Sequence, residues 1–288
     1  MSHGLHTGWR DPALWMALPA ALFMLLVFVY PFLEGLRLSF APAAGDAWAN
    51  YRAFFETPSL WSTIATTLKL ALPATLINVG IAVPLAYRLR NRSRYQKIAT
   101  TVITIPLTLG TVLIAQGMLT YFGPRGWFSQ AVQALGLYDS PVHLTHNYWG
   151  VLISLVISGF PFAFLLILSY VTGIDPVLSR AAATLGATPG RQFRHIVLPL
   201  LAPGLAMTFC LSFVQAFSVF PSAVLLGAPA GPTRVISIAA YEAAFENYDY
   251  SMASAIAMIM GAVQLAVVVG ALALRGLAYR GPATGGKG

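Results

Sequence analysis

The stretch WGVLISLVISGFPFAFLLILSY, residues 149–170, contains no Asp, Glu, Lys or Arg. A helix needs about 20 mostly apolar residues to cross the hydrocarbon core of a bilayer, and this run reaches that length without a charge. Working outward from it, comparable runs recur on both sides and give six expected spans, approximately 12–36, 63–87, 98–121, 149–172, 200–226 and 250–274. Over the whole chain of 288 residues, 57% are hydrophobic and 9% charged, with a mean hydropathy of +0.72. Soluble proteins carry roughly 25% charged residues, so too little polar surface is left to clothe a water-exposed core. Proline recurs inside the runs, at Pro31, Pro84 and Pro161 for example, and Pro31 and Pro161 are candidate kinks. The first run is too long for the apolar part of a secretory leader and is expected to stay as a helix.

Charge placement gives the orientation, because loops rich in Lys and Arg are retained in the cytoplasm. Twelve basic residues fall in the N-terminal segment, the 88–97 loop, the 173–200 loop and the C-terminal tail, whereas the opposite loops hold only Arg37, at the edge of the first span, Arg52, Arg125 and Arg234. Those opposite loops also carry Asp46, Glu56, Asp139, Glu242, Glu246 and Asp249, six of the nine acids. Both termini are therefore expected in the cytoplasm. The net charge of +8 follows from this topology, and the RLRNRSRYQK block at 88–97 reads as an anchor beside lipid headgroups, with no nucleic-acid partner expected. No linker divides the chain, so residues 1–288 read as one membrane domain with a short Gly-rich tail, 281–288. The single cysteine, Cys210, excludes an internal disulfide and sits in an apolar run where it packs.

The connection at 174–199, IDPVLSRAAATLGATPGRQFRHIVLP, is neither apolar enough to span nor polar enough to be a tether. Asp175 and Pro176 form a cap and first-turn pair. Leu178, Ala181, Ala182 and Leu185 then recur at i, i+3, i+4 and i+7, one face of a short helix that Gly186 stops. Arg180 is expected on the opposite side. Thr188 and Pro189 start a second short helix that runs through Ile196 towards Pro199, at the entry to the fifth span. The small ridge of Ala181 and Ala182 lets another surface approach closely.

At the spacing of these residues the chain resembles the permease subunits of binding-protein-dependent ABC importers. Their signature runs EAA, three residues, Gly, nine residues, then Ile-x-Leu-Pro, and Ala181, Ala182, Gly186, Ile196, Leu198 and Pro199 occupy the corresponding positions. Arg180 stands where that family usually has Glu. LALPATLINVGIAVPLAYRLR, FGPRGW, FPFAFLLILSY and VLLGAPAGP extend the resemblance to nearly the whole chain, and the TLGATP version of the motif is most similar to the polyamine, iron(III), thiamine and phosphonate importers. The resemblance implies an all-α membrane protein of the type I importer permease fold, with a cytoplasmic coupling helix between the fourth and fifth of six spans. It implies a bacterial inner-membrane location and no catalysis and no cofactor in this chain, ATP and Mg being bound by a cytosolic ATPase dimer. It also implies a second homologous permease and an extracytoplasmic solute-binding protein. Arg180, Ala181, Ala182, Leu185, Gly186, Ile196, Leu198 and Pro199 would couple the chain to the ATPase.

Other features carry less. Glu242-Ala243-Ala244 is a literal EAA on the outer side, but Tyr248 stands where Gly is required. Gly281 to Lys287 has P-loop spacing without the following Ser or Thr or the flanking strand and helix. His143 and His146 at i, i+3 lack further metal ligands, and no metal is expected. Lys69 lies within a span one to two turns from its outer end, within reach of the interface. Gln116, Gln215, Ser218 and Gln264 are polar residues inside spans. Lys69, Gln116, Gln215 and Ser218 are candidates to line a passage between facing permeases. A membrane enzyme would need HExxH, GxSxG or paired acids, none of which occurs. A secondary transporter would be expected to place carboxylates at midplane, and no acid falls centrally in a span.

Overall fold

Hydrocarbon offers the backbone no hydrogen-bond partners, so a chain of this composition must satisfy its N–H and C=O groups within helices or a closed barrel. The computed structural model describes residues 12–91, 93–123, 126–135 and 145–278, and these contain helices and no strand. In order they are α1 (Pro12–Met24), a π-helical turn (Leu25–Val29), α2 (Tyr30–Ser39), α3 (Ala49–Glu56), α4 (Pro58–Arg88), α5 (Arg94–Phe122), α6 (Trp127–Ala134) and α7 (Tyr148–Thr172). After these come α8 (Pro176–Thr184), α9 (Pro189–Gln192), a second π turn (Phe193–Val197), α10 (Leu198–Phe217), α11 (Pro221–Leu226), α12 (Ile236–Tyr241), a third π turn (Glu242–Glu246) and α13 (Tyr250–Ala278). Six helical stretches among the described residues are long and apolar enough to cross a membrane, in agreement with the six runs of the sequence. The tail at 281–288 and His143 lie outside the described residues.

The fifth stretch departs from the expected 200–226. It begins at Pro189 and ends at Phe217. Phe220, at φ −133° and ψ −60°, then breaks the helical path, and Pro221 opens α11, a first-turn position where its missing N–H costs nothing. Pro199 does not separate a short helix from the span either. A proline ring collides with the carbonyl four residues back, here that of His195, and this carbonyl lies in the widened turn Phe193–Val197, where Leu198 N–H bonds to Phe193 O. The same device precedes Pro31: Val27 sits in the turn Leu25–Val29, and Tyr30 N–H bonds to Leu25 O. Pro161, by contrast, lies within an uninterrupted α7. The non-helical residue inside a long helix is Gly110 of α5, at φ +73° and ψ 162°.

The chain forms two compact units, residues up to Glu56 with Ala240–Met258, and Thr57–Ala239 with the residues from Ile259 onward. In the first, Asn50 Nδ2 donates to Ser251 Oγ (2.7 Å), while Ser251 Oγ lies 2.8 Å from the carbonyls of Leu38 and Ala41. Phe40, Trp48 and Tyr51 cluster with ring centroids 5.1–5.6 Å apart. Every residue from Leu18 to Leu33 is exposed in the single chain.

The second unit is built on α4, α7 and α10. One buried cluster joins Leu70, Ile114, Val151, Leu155 and Leu226, and another joins Ala82, Ala86, Phe164, Ile167, Val171 and Leu201. Small residues set the spacing, since apolar helices in lipid gain mainly from close van der Waals approach. A Cβ on Gly204 would stand 2.4 Å from the ring of Tyr170, so α7 and α10 meet at this closeness only with glycine there.

Candidate functional site

The 174–199 connection is held in shape by backbone chemistry. Asp175 caps α8, its Oδ1 accepting from Val177 N–H at 2.8 Å. At the other end Gly186 N–H bonds to Ala183 O and Ala187 N–H to Ala182 O, both at 3.0 Å, the paired closure of a Schellman motif. That closure requires a left-handed residue after the cap, and Gly186 supplies it at φ +81°. Thr188 occupies the expected cap position of α9, but its side chain makes no capping bond. Instead Gln192 Nε2 donates to Ala187 O at 2.8 Å.

The exposed face of α8 differs in part from the ridge read from the sequence. Leu178 and Leu185 are 45% and 88% exposed, and Ala181 and Arg180 also face outward. Val177, 52% exposed, joins them, whereas Ala182 turns partly inward beside the buried Ser179. The i, i+3, i+4 pattern alone could not distinguish the packed edge of the ridge from its free edge. Ile196 and Leu198 are half-buried and flank the fully buried Val197, while Pro199 is exposed. Phe193 meets the ring of Tyr87 with centroids 4.7 Å apart, and the Arg90 guanidinium lies 4.4 Å over that ring. The connection is thus clasped to the end of α4 through Tyr87, which itself packs against the Ala86–Phe164–Leu201 cluster.

The polar residues within spans separate into two groups. Gln215 and Ser218 line a cavity of ≈ 90 Å³ that also touches Asn78, Ser158, Gly159, Ser212 and Ser222. Gln264 Nε2 donates to Ser218 Oγ at 2.9 Å. Gln116 and Lys69 are exposed and lie away from this cavity, although Tyr148 O–H donates to the Lys69 carbonyl at 2.8 Å. Asn78 was not singled out by the sequence reading. Its signal was available, since an amide in the middle of an apolar run is costly in lipid unless it is used. Among the described residues no three His, Cys, Asp or Glu side chains gather as metal ligands.

A clasped, capped helix with an apolar outward face between two spans is the geometry of a docking element. Residues 78–278 match the family of binding-protein-dependent transport system inner membrane components. The chain belongs to this family. It is a transmembrane permease of an ATP-driven, binding-protein-dependent importer, with the type I importer permease fold. Among its relatives, the sulfate transport system permease protein CysT of Salmonella typhimurium is 26% identical over 85% of each chain. The molybdenum transport system permease protein ModB of Mycobacterium tuberculosis is 25% identical over 78% of this chain and 84% of the relative. In structure the permease resembles a chain of a bacterial alginate ABC transporter (TM-score 0.79, 24% identity, 91% and 93% of the two chains covered). It also resembles one of the MetNI methionine transporter (TM-score 0.62, 14% identity, 77% and 99% covered).

Proposed function

We propose that this permease forms a translocation pathway with a second permease, receives solute from an extracytoplasmic binding protein and docks a cytosolic ATPase dimer through α8. Residues 1–288 act as one transmembrane domain with both termini in the cytoplasm, and ATP and Mg are bound and turned over in the partner chains. The observation that carries this reading is the outward apolar face of Val177, Leu178, Ala181 and Leu185, fixed by the Asp175 cap and the Gly186 closure. Closure of the ATPase would draw on this face, and the Tyr87–Phe193 contact and the cluster around Phe164 would carry the displacement into α4, α7 and α10. Gly186, Ile196, Leu198 and Pro199 hold the connection in register. Gln215 and Ser218 contribute to the pathway, and Lys69 and Gln116 meet lipid, headgroup or the second permease.

Within the family, TLGATP alone supports the polyamine, iron(III), thiamine and phosphonate branch. The relatives above are named for sulfate and molybdenum transport, and another, AmyD of Thermoanaerobacterium thermosulfurigenes, is named for transport of starch degradation products. Cargo selection is therefore sought in the binding protein and in the polar residues within the spans.

Co-purification of the ATPase with the full-length permease tests the docking face. Leu185→Ala removes an apolar side chain that the ATPase would bury, a loss of about 2 kcal/mol in affinity. Arg180→Ala removes an exposed cation and costs at most about 1 kcal/mol. Ala182 points partly into its own protein, so Leu185 is the cleaner reporter. Undiminished ATPase recovery with Leu185→Ala and complete loss with Arg180→Ala would reject docking by apolar burial.

A further inference from the structure

Two side chains on facing helices are buried yet carry a polar atom without a hydrogen-bond partner, and both residues line the same cavity. Asn78 of α4 is 2% exposed with Oδ1 unpaired, and Ser212 of α10 is 3% exposed with Oγ unpaired. The amide nitrogen of Asn78 is already committed to Leu155 O at 3.4 Å. Room for that amide comes from Gly159, where a Cβ would lie 2.6 Å from Asn78 Nδ2. The cavity opens where helical order fails, at the break after Phe217 that carries Ser218 and Phe220. Burying an acceptor without a donor is costly, and the cost is met when something brings the missing proton.

The lining contains no Asp, Glu, Lys or Arg. An oxyanion placed here would set its oxygens against the Asn78 acceptor and find no cation, only neutral hydroxyl and amide donors. A metal ion or ammonium would find no carboxylate to offset its desolvation. A hydroxyl group matches both orphaned atoms in chemistry, since it can donate to an acceptor such as Asn78 Oδ1 and exchange a bond of either sense with a hydroxyl such as Ser212 Oγ. At ≈ 90 Å³ the cavity has room for several waters, or for one hydroxyl-bearing edge of a larger molecule.

We propose that the Asn78–Ser212 cavity is a hydroxyl-recognition subsite on the solute path, which engages one edge of a neutral, polyhydroxylated solute and is hydrated between solutes. This rests on the importer reading and narrows its cargo to uncharged hydroxyl donors.

The test uses the full-length permease with its co-purified partners in membranes. In a Cys210→Ser background, Gln215→Cys at the mouth of the cavity is labelled with a small cationic methanethiosulfonate. Protection is measured with maltose, glucose and glycerol as neutral probes, sulfate as the anionic probe and putrescine as the cationic one. At least one neutral probe is expected to slow labelling about threefold, the protection reached at twice its Kd. Sulfate and putrescine should leave the rate unchanged. Asn78→Leu should abolish protection and Asn78→Asp, which keeps an acceptor oxygen, should retain it. Protection by sulfate or putrescine alone, by no probe, or undiminished in Asn78→Leu overturns the subsite. Failure of any ATPase to co-purify with the unsubstituted permease counts against the importer reading instead, and is read separately from the labelling.

Discussion

Gly186 carries one of the most demanding single positions in the permease. Its φ of +81° closes α8, and a Cβ built there would meet nothing within 4 Å. The cost of substitution is therefore conformational and not steric, about 1–2 kcal/mol for a residue that resists the left-handed region. Gly186→Val should leave the amount of permease in the membrane unchanged and reduce co-purified ATPase, because the face that includes Leu185 is no longer held at its angle. Gly186→Asn should recover most of that loss, since Asn tolerates the left-handed conformation. Equal ATPase recovery with Val and with Gly would mean that the closure has no part in docking. The glycine was legible in the sequence because one spacing pattern ends there and a cap begins two residues later. The inward turn of Ala182 was not legible, since it depends on what packs beneath Ser179.

At the scale of elements, the spans were legible because hydropathy is a one-dimensional property and lipid demands it along the whole length of a crossing helix. Breaks within spans were not. Glycine and proline are tolerated in bilayer helices when neighbours satisfy the freed groups, so Pro161 leaves α7 continuous while Gly110 interrupts α5. The π turn before Pro199 was equally hidden, being a change of hydrogen-bond register and not of composition. It carries a consequence for aim. A π turn adds one residue to a helical turn, which rotates everything upstream by about 100° relative to a regular helix. Pro199→Leu removes the ring that favours the wide turn and allows regular bonding through Phe193–Val197. A cysteine at Leu185 that cross-links to the ATPase in the unsubstituted permease should then cross-link less, with the abundance of the fifth span unchanged. Unaltered cross-linking would assign the wide turn to residues other than the proline.

At the scale of the whole molecule, charge gives the expected orientation. Twelve basic residues on one set of loops and four on the other predict that a cysteine at Ser93 is protected from an impermeant reagent in intact cells, whereas one at Ser59 is labelled. Labelling at Ser93 with protection at Ser59 would invert the permease and put α8 on the wrong side for an ATPase. The polar cavity belongs to this scale too. Asn78, Gly159 and Ser212 lie far apart in sequence, and only the packing of α4, α7 and α10 brings them together. Composition could mark each as unusual in lipid without pairing them.

The helix from Leu18 to Leu33 turns every side to the surroundings and is apolar all round. For such a segment lipid is an adequate solvent, so it loses nothing while a companion is absent. A newly made subunit can therefore wait in the bilayer as an orphan with this arm fully inserted. The order in which the cell synthesises this subunit and its partners then places no thermodynamic demand on the arm.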